Sequence, residues 1–165
     1  MTRNDPELTA MVCLAIVDEE PQHGWAIVKL LASDGAIGRI WSVSRPLTYR
    51  ALDSLEQVRL IEPTEADATE RRGRTVYTTT AAGRKKVSEW LSEPVALPRD
   101  VRTELLLKFV FRQRRQLSIA SLAKQQRELF APMMRNEKNE DVVALWRGEH
   151  LKAVDRFLQA VEETQ

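Results

Sequence analysis

The stretch WSVSRPLTYRALDSLEQVRLIE, residues 41–62, decides the fold of this chain together with RRGRTVYTTTAAGRKKV, residues 71–87. In the first stretch, Ser44 is placed to cap a helix, and Pro46 lies in the first turn, where its missing N–H costs nothing. We predict a helix from residue 45 to about 58, with one apolar and one polar side. The apolar side holds Ala51, Leu52, Leu55 and Val58; the other holds Arg45, Tyr49, Arg50, Asp53 and Gln57.

The second stretch contains a basic hairpin. Ile61 to Thr64 and Thr75 to Thr80 are rich in β-branched residues and predict two strands. The polar loop between them ends with Arg71, Arg72 and Arg74, whose charges cannot be buried without partners. An amphipathic helix beside a basic hairpin indicates a winged helix-turn-helix that holds duplex DNA.

Three further helices are predicted, two before this helix and hairpin in the sequence and one after them. Spacing of apolar residues predicts an amphipathic helix over residues 7–18 and a short one from about Gly24 to Ala32, broken at Ser33-Asp34-Gly35. Thr80 is placed to cap the helix after the hairpin. Helix, helix, helix, hairpin and helix thus follow one another within 92 residues.

A connector bracketed by Pro94 and Pro98 is the predicted domain boundary. Residues 1–93 are predicted to form the winged helix-turn-helix DNA-binding domain. Residues 99–165 are predicted to form a helical dimerisation domain. The fold class is therefore mainly α with a small β-hairpin.

Three helices are predicted after the connector: one over about 100–114, one that Pro132 ends, and one over about 138–163. The last has an apolar face too broad to be covered alone, so it needs a partner surface and favours a homodimer. That face consists of Val143, Trp146, His150, Ala153, Phe157 and Val161, widened by Leu151, Val154 and Leu158.

Composition excludes several classes of protein. With 165 residues, 43% apolar and 30% charged, the chain is typical of a soluble globular protein. No apolar run approaches the roughly 20 residues needed to cross a bilayer, and the first residues lack the pattern of a secretory signal. The single cysteine, Cys13, excludes an internal disulfide and is expected to be a small buried thiol. We therefore predict a cytoplasmic protein with no membrane partner.

The net charge of +1 argues weakly against an indiscriminate nucleic-acid binder. Residues 1–92 contain 12 Lys and Arg against 13 Asp and Glu, a net charge of −1. From Arg71 to Lys86, however, there are six basic residues and no acidic one. A domain with nearly equal numbers of basic and acidic residues and one basic face is suited to a regulator that must release non-specific DNA. The rival interpretation, favoured by the −1 charge, is a winged-helix module that binds another protein.

The sequence gives little support for an enzymatic function. His23 and His150 are far apart, with no cysteine or carboxylate at ligand spacing, so we predict neither a metal nor a cofactor. Gly73 and Gly83 do not form a phosphate-binding loop, and no set of nucleophile, base and acid is evident.

Several motifs occur in order along the chain. They are Gln22-His23-Gly24-Trp25, Trp41-Ser42-Val43-Ser44, Leu47 to Leu55 with Tyr49 and Leu52, Leu60-Ile61, Gly73-Arg74-Thr75-Val76-Tyr77, Thr80-Ala81-Ala82-Gly83-Arg84 and Glu104 to Phe109. Together they resemble the PadR family of transcriptional regulators over nearly the whole chain. The long C-terminal part resembles the larger of its two subfamilies.

The resemblance implies a dimer whose recognition helices enter successive major grooves of a roughly palindromic operator. It assigns Ser44, Tyr49 and Arg50 to DNA contact, and Arg72 and Arg74 to the wing. We add Arg45 because of its place in the first turn of the helix. We expect a ligand-responsive repressor.

Aromatic residues of the second part allow two interpretations. They are Phe109, Phe130, Trp146 and Phe157, together with His150. They could line a pocket for a small aromatic effector, since some relatives bind flat phenolic or heterocyclic compounds. We prefer the interpretation that they form the core of the dimer.

Overall fold

The computed structural model describes residues 5–64, 75–135 and 141–164. The chain divides into two compact units, Met1–Leu91 and Ser92–Gln165. The described residues are mainly helical with a small antiparallel sheet, which confirms the predicted fold class of a winged helix-turn-helix followed by further helices. Across these ranges, no helix combines the length and the apolar character needed to span a membrane.

The first unit contains a small three-stranded sheet. Its described elements are α1 (Pro6–Glu19), β1 (Gln22–His23), α2 (Gly24–Leu31), α3 (Arg45–Gln57), β2 (Ile61–Pro63), β3 (Val76–Thr79) and α4 (Ala81–Ser92). The central strand, β3, pairs antiparallel with both others, placing Gln22 and Pro63 opposite Tyr77. The sequence does not predict β1, because two residues are too few to show an alternating pattern.

Helix α1 lies at the centre of the first unit. The Asp5 carboxylate caps it by accepting hydrogen bonds from two backbone N–H groups of the first turn. Every residue from 11 to 17 is buried, since α3 and β3 both pack against this helix. The predicted helix is therefore present, but the prediction of a single apolar face is wrong. Burial raises the pKa of the Cys13 thiol to about 12, so this thiol stays protonated at neutral pH.

The turn between α2 and α3 is tight, and the break predicted at residues 33–35 is confirmed. The backbone N–H groups of Ile37 and Gly38 both donate to the Leu30 carbonyl. A Cβ at Gly38 would lie 1.7 Å from the carbonyl oxygen of Ala32, so only glycine fits there. This packing fixes the path of the chain from α2 towards α3.

The turn after α3 supports the start of α4. The Thr80 hydroxyl accepts a hydrogen bond from the Gly83 N–H at 3.1 Å and donates to the Arg59 carbonyl at 2.9 Å, which confirms the predicted cap. A Cβ at Gly83 would lie 2.1 Å from the Leu60 carbonyl oxygen, so α4 packs directly on this turn. Val58 is 61% exposed, so its predicted place on the buried face is wrong. The helix has ended there, and the chain turns through Arg59 at φ 55°.

The described part of the second unit contains a 3₁₀ helix (Pro98–Arg102), α5 (Glu104–Arg114), α6 (Ile119–Arg135) and α7 (Val142–Glu162). The Asp141 carboxylate caps α7. Helix α6 continues through Pro132, so the prediction that this proline ends it is wrong. Pro132 is exposed, and the carbonyl group that loses its donor there can bind water.

Side chains from α5 and α6 hold the segment that follows α4. The Gln126 amide accepts from the Val95 N–H at 2.7 Å and donates to the Val95 carbonyl at 2.9 Å. The Lys108 ammonium donates to the Glu93 carbonyl at 2.8 Å and pairs with the Glu104 carboxylate at 2.9 Å. Both side chains are buried beside an apolar core. That core consists of Val95, Val101, Leu105, Phe109, Leu122, Ala123, Phe130, Val154 and Leu158.

Candidate nucleic-acid interface

Helix α3 positions the residues predicted to contact DNA. Its buried face consists of Thr48, Ala51, Leu52 and Leu55. This face packs against α1 and α2. Ser44 stands at the predicted N-cap position, but its side chain makes no capping hydrogen bond. Instead, the Thr48 hydroxyl donates to the Ser44 carbonyl at 3.2 Å, and Ser44 itself is exposed at the start of the helix.

The opposite side of α3 presents Arg45 and Arg50, which are both exposed, and Tyr49, which is half-buried. The guanidinium carbon of Arg45 lies 5.7 Å from the centre of the Tyr49 ring, within the range of a cation–π contact. A Cβ at Gly24 would lie 2.9 Å from Tyr49 Cε1, so this ring rests on the backbone of α2. The structure thus brings four predicted DNA contacts together on the first two turns of α3: Ser44, Arg45, Tyr49 and Arg50.

Charge is divided along α3. Its first half carries two arginines and no carboxylate, whereas its second half carries the exposed Asp53 and Glu56. Burial raises the pKa of Tyr77 on β3, and the carboxylates of Glu56 and Asp53 raise it further. The Tyr77 phenol therefore stays protonated. The N-terminal half of α3 is the positive half, and this is the end that recognition helices direct at base edges.

The predicted wing contacts, Arg72 and Arg74, lie outside the described residues. The two strands that lead into and out of that loop are described. The Thr64 N–H donates to the Val76 carbonyl at 2.9 Å, next to the loop. The hairpin strands are therefore confirmed, and the roles of the two arginines remain predictions.

A family model described as the transcriptional regulator PadR-like family matches residues 13–89, a stretch that begins within α1 and ends within α4. The first unit of the chain is therefore PadR-like in sequence. Members of this family are transcriptional regulators. Among curated proteins, no sequence matches the chain.

Three crystal structures of Bacillus subtilis PadR are similar to this PadR-like chain, each with 17% sequence identity. The complex with operator DNA has a TM-score of 0.48 and covers 93% of this chain and 96% of that one. The complex with p-coumaric acid has a TM-score of 0.47, with 94% and 96% covered. A third structure of PadR has a TM-score of 0.46, with 98% and 97% covered. At this identity, residue roles do not carry over from that protein.

In the second unit, the five predicted interface residues fall into two groups, one buried and one at the surface. Phe109 and Phe130 are buried in the apolar core. Trp146, His150 and Phe157 lie along α7 and reach the surface. The rings of Trp146 and His150 are stacked, with centres 5.1 Å apart and planes 6° from parallel. The Phe157 ring is centred 6.3 Å from that of Phe109, so it connects the core with the open face of α7.

A hollow of about 550 Å³ opens beside the stacked rings of Trp146 and His150. Apolar side chains and two arginines line the rest of it: Leu97, Pro98, Met133, Leu151, Arg99 and Arg147. His150 Nε2 is buried and has no hydrogen-bond partner among the described residues. His150 and Phe157 also line a second hollow of about 260 Å³. Neither arginine was predicted from the sequence. Arg147 directly follows the predicted residue Trp146, whereas Arg99 comes to the hollow only through folding.

The first half of α7 presents uncovered apolar surface. Val142 is 77% exposed and Trp146 is 64% exposed, and Val143 and Leu145 are exposed beside them. The other part of the predicted apolar face of α7 is buried; it consists of Leu151, Val154 and Leu158. Within the described residues, the unit therefore covers only part of the apolar surface of this helix.

Proposed function

We propose that this PadR-like transcriptional regulator is a homodimeric repressor that acts in the cytoplasm on a roughly palindromic operator. One observation carries the proposal: Arg45 and Arg50 stand exposed on the N-terminal half of α3, and its carboxylates lie in the other half. An α-helix fits the major groove of B-DNA, and an arginine fork matches guanine or phosphate. We assign DNA binding to residues 1–93, dimerisation to residues 99–165, and no catalytic activity to either.

Each contact has a proposed role. Arg50 reads a base edge or a phosphate from the second turn of α3, while Arg45 and Ser44 hold phosphates at its start. Tyr49 supports Arg45 through its ring, 5.7 Å away. Arg72 and Arg74, proposed from the sequence alone, hold the wing on the backbone or in the adjacent minor groove.

A second copy of the chain is the proposed partner of α7. Its uncovered residues are apolar and adjacent on one helix, and a twofold interface would bury them against their own counterparts. A twofold protein places two recognition helices about one helical turn of DNA apart, which matches a palindrome. Bound at a promoter, such a dimer would exclude RNA polymerase.

The hollow beside Trp146 and His150 is the proposed effector site. Its stacked rings suit a flat aromatic molecule, and Arg99 and Arg147 suit a negative charge on it. A ligand bound between the subunits would change the spacing of the two recognition helices and so release or recruit DNA binding.

The Arg50→Ala variant should bind the operator more weakly by about 1–3 kcal/mol if Arg50 reads a base. Anisotropy titration of a labelled duplex, selected from random DNA by the wild-type chain, measures this change. The control is Lys124→Ala, which removes an exposed basic residue from α6. Equal affinities of wild type and Arg50→Ala would remove the assignment of Arg50.

The rival function is a winged-helix module that binds another protein. The net charge of −1 over residues 1–92 is the feature in its favour. Salt titration separates the two functions, because a DNA binder should lose affinity with a slope of about −0.9 for each phosphate neutralised. Failure to bind heparin, or DNA from upstream of its own gene, would favour the rival.

A further inference from the structure

The exposed side of α3 carries a carboxylate that the proposed DNA contacts do not use. Asp53 is exposed, and its side chain makes no hydrogen bond or ion pair with another described residue. Arg50 is exposed three residues earlier on the same helix, a spacing at which opposite charges can pair. Among the described residues, no ion pair joins the two. Both side chains are therefore available to a partner.

Helical geometry places Asp53 at the front of α3. Successive residues of an α-helix are turned by about 100°, so the buried residues of α3 define one common direction. The residues that define it are Thr48, Ala51, Leu52 and Leu55. Arg50 and Asp53 point about 30° to either side of the opposite direction, whereas Glu56 points about 90° from it. Of the charged side chains of α3, Arg50 and Asp53 are therefore the two that face most directly away from the buried side.

Tyr77 on β3 provides independent support for this placement of the two carboxylates. Burial raises the pKa of Tyr77 most, the Glu56 carboxylate next and the Asp53 carboxylate after it. This order is expected if Glu56 lies on the flank of α3 that faces the sheet, with Asp53 farther round towards the open side. The sheet therefore leaves Asp53 accessible from the front of the helix.

We propose that Asp53 determines base specificity by accepting a hydrogen bond from the amino group of a cytosine in the major groove. This inference rests on the proposed function and adds a base contact to the same interface. Phosphates repel a carboxylate, so a carboxylate at the front of a recognition helix needs a donor on a base edge.

The major groove offers two such donors, the N4 amino group of cytosine and the N6 amino group of adenine. On adenine, the amino group stands beside the N7 acceptor, which would repel the second carboxylate oxygen. The cytosine ring presents no acceptor in the groove. Cytosine is therefore the base that a carboxylate selects.

The spacing of Arg50 and Asp53 fits two neighbouring base pairs. Asp53 lies about 4.5 Å farther along the helix axis than Arg50, from a rise of about 1.5 Å for each residue. Neighbouring base pairs are about 3.4 Å apart along the duplex. One helix can thus bring the guanidinium group to a guanine and the carboxylate to a cytosine of the adjacent pair.

The test is selection of duplexes from random DNA by the wild-type chain and by variants of Asp53, followed by sequencing. The wild type should enrich a cytosine at one position of each half-site. Asp53→Asn should change that preference to adenine, because an amide matches the N6 and N7 groups of adenine. Asp53→Ala should show no preference there. Glu128→Gln removes an exposed carboxylate from α6 and should enrich the wild-type sequence.

Anisotropy titration measures the size of the effect on single duplexes. Replacing the selected C·G pair by T·A should weaken binding of the wild type roughly fivefold or more, because thymine presents an acceptor to the carboxylate. The same replacement should change the affinity of Asp53→Ala by no more than about twofold, since alanine has no acceptor to be repelled.

The outcomes separate this inference from the proposed function. If the wild type enriches a sequence and both Asp53 variants enrich the same one, Asp53 reads no base, and only this inference is overturned. A uniform gain in affinity for all duplexes, with unchanged base preference, would show that the carboxylate merely repels phosphates and would also overturn it. If the wild-type chain enriches no duplex, the proposed function fails, and the base contact fails with it.

Discussion

Alanine in place of Lys108 should lower the free energy of unfolding by about 3 kcal/mol, the lower end of the range for breaking a buried ion pair. Lys108 is only 2% exposed, and its ammonium contacts both the Glu104 carboxylate and the Glu93 carbonyl. Without it, the Glu93 carbonyl and the Glu104 carboxylate each lose this donor, and a cavity is left in the core. The lower end applies because Glu104 is 29% exposed and water can partly replace the lost charge.

Urea denaturation at a fixed protomer concentration measures this effect, since self-association would make the midpoint depend on concentration. Lys124→Ala is the control, because this lysine is exposed on α6 and its loss should cost no more than about 0.5 kcal/mol. If Lys108→Ala and Lys124→Ala unfold at the same midpoint, the contacts of Lys108 contribute nothing to stability.

The Trp146→Asp variant should dissociate the proposed dimer. Trp146 is 64% exposed on the uncovered apolar surface of α7, where a carboxylate would have to be buried on association. Aromatic residues that anchor an interface commonly contribute about 2 kcal/mol or more, so the dimer dissociation constant should rise roughly thirtyfold or more. Operator binding should fall with it, since a monomer contacts only one half-site.

Sedimentation equilibrium measures the association of the wild type and this variant. Gln125→Asp places the same charge at an exposed position of α6 and serves as the control. A wild-type chain that stays monomeric at tens of micromolar, or a Trp146→Asp variant that associates as tightly as the wild type, would contradict the proposed role of α7.

Local signals in the sequence were enough to predict the recognition helix and the helix after the hairpin. The spacing of Ala51, Leu52 and Leu55 defines one buried face, and Thr80 forms the predicted cap. These features depend on a few neighbouring residues, which is why they can be predicted without knowledge of the tertiary structure.

The predictions that were wrong, and the features that were not predicted, depend on contacts between residues that are distant in the sequence. Helix α1 is buried on all sides because α3 and β3 both pack on it, which its own sequence does not reveal. Strand β1 exists only through its pairing with β3. Helix α6 tolerates Pro132 because that turn is exposed to water. Arg99 joins Arg147 in the hollow of the second unit, although 47 residues separate them in the sequence.

The most direct test of the central claim is a hydroxyl-radical footprint of the wild-type chain on duplexes that it enriches from random DNA. We expect two protected half-sites with approximate twofold symmetry, centred about one helical turn apart. We also expect protection to be lost steeply as salt rises. Failure to enrich any duplex, or one unpaired patch of protection that persists at high salt, would contradict binding by paired α3 helices.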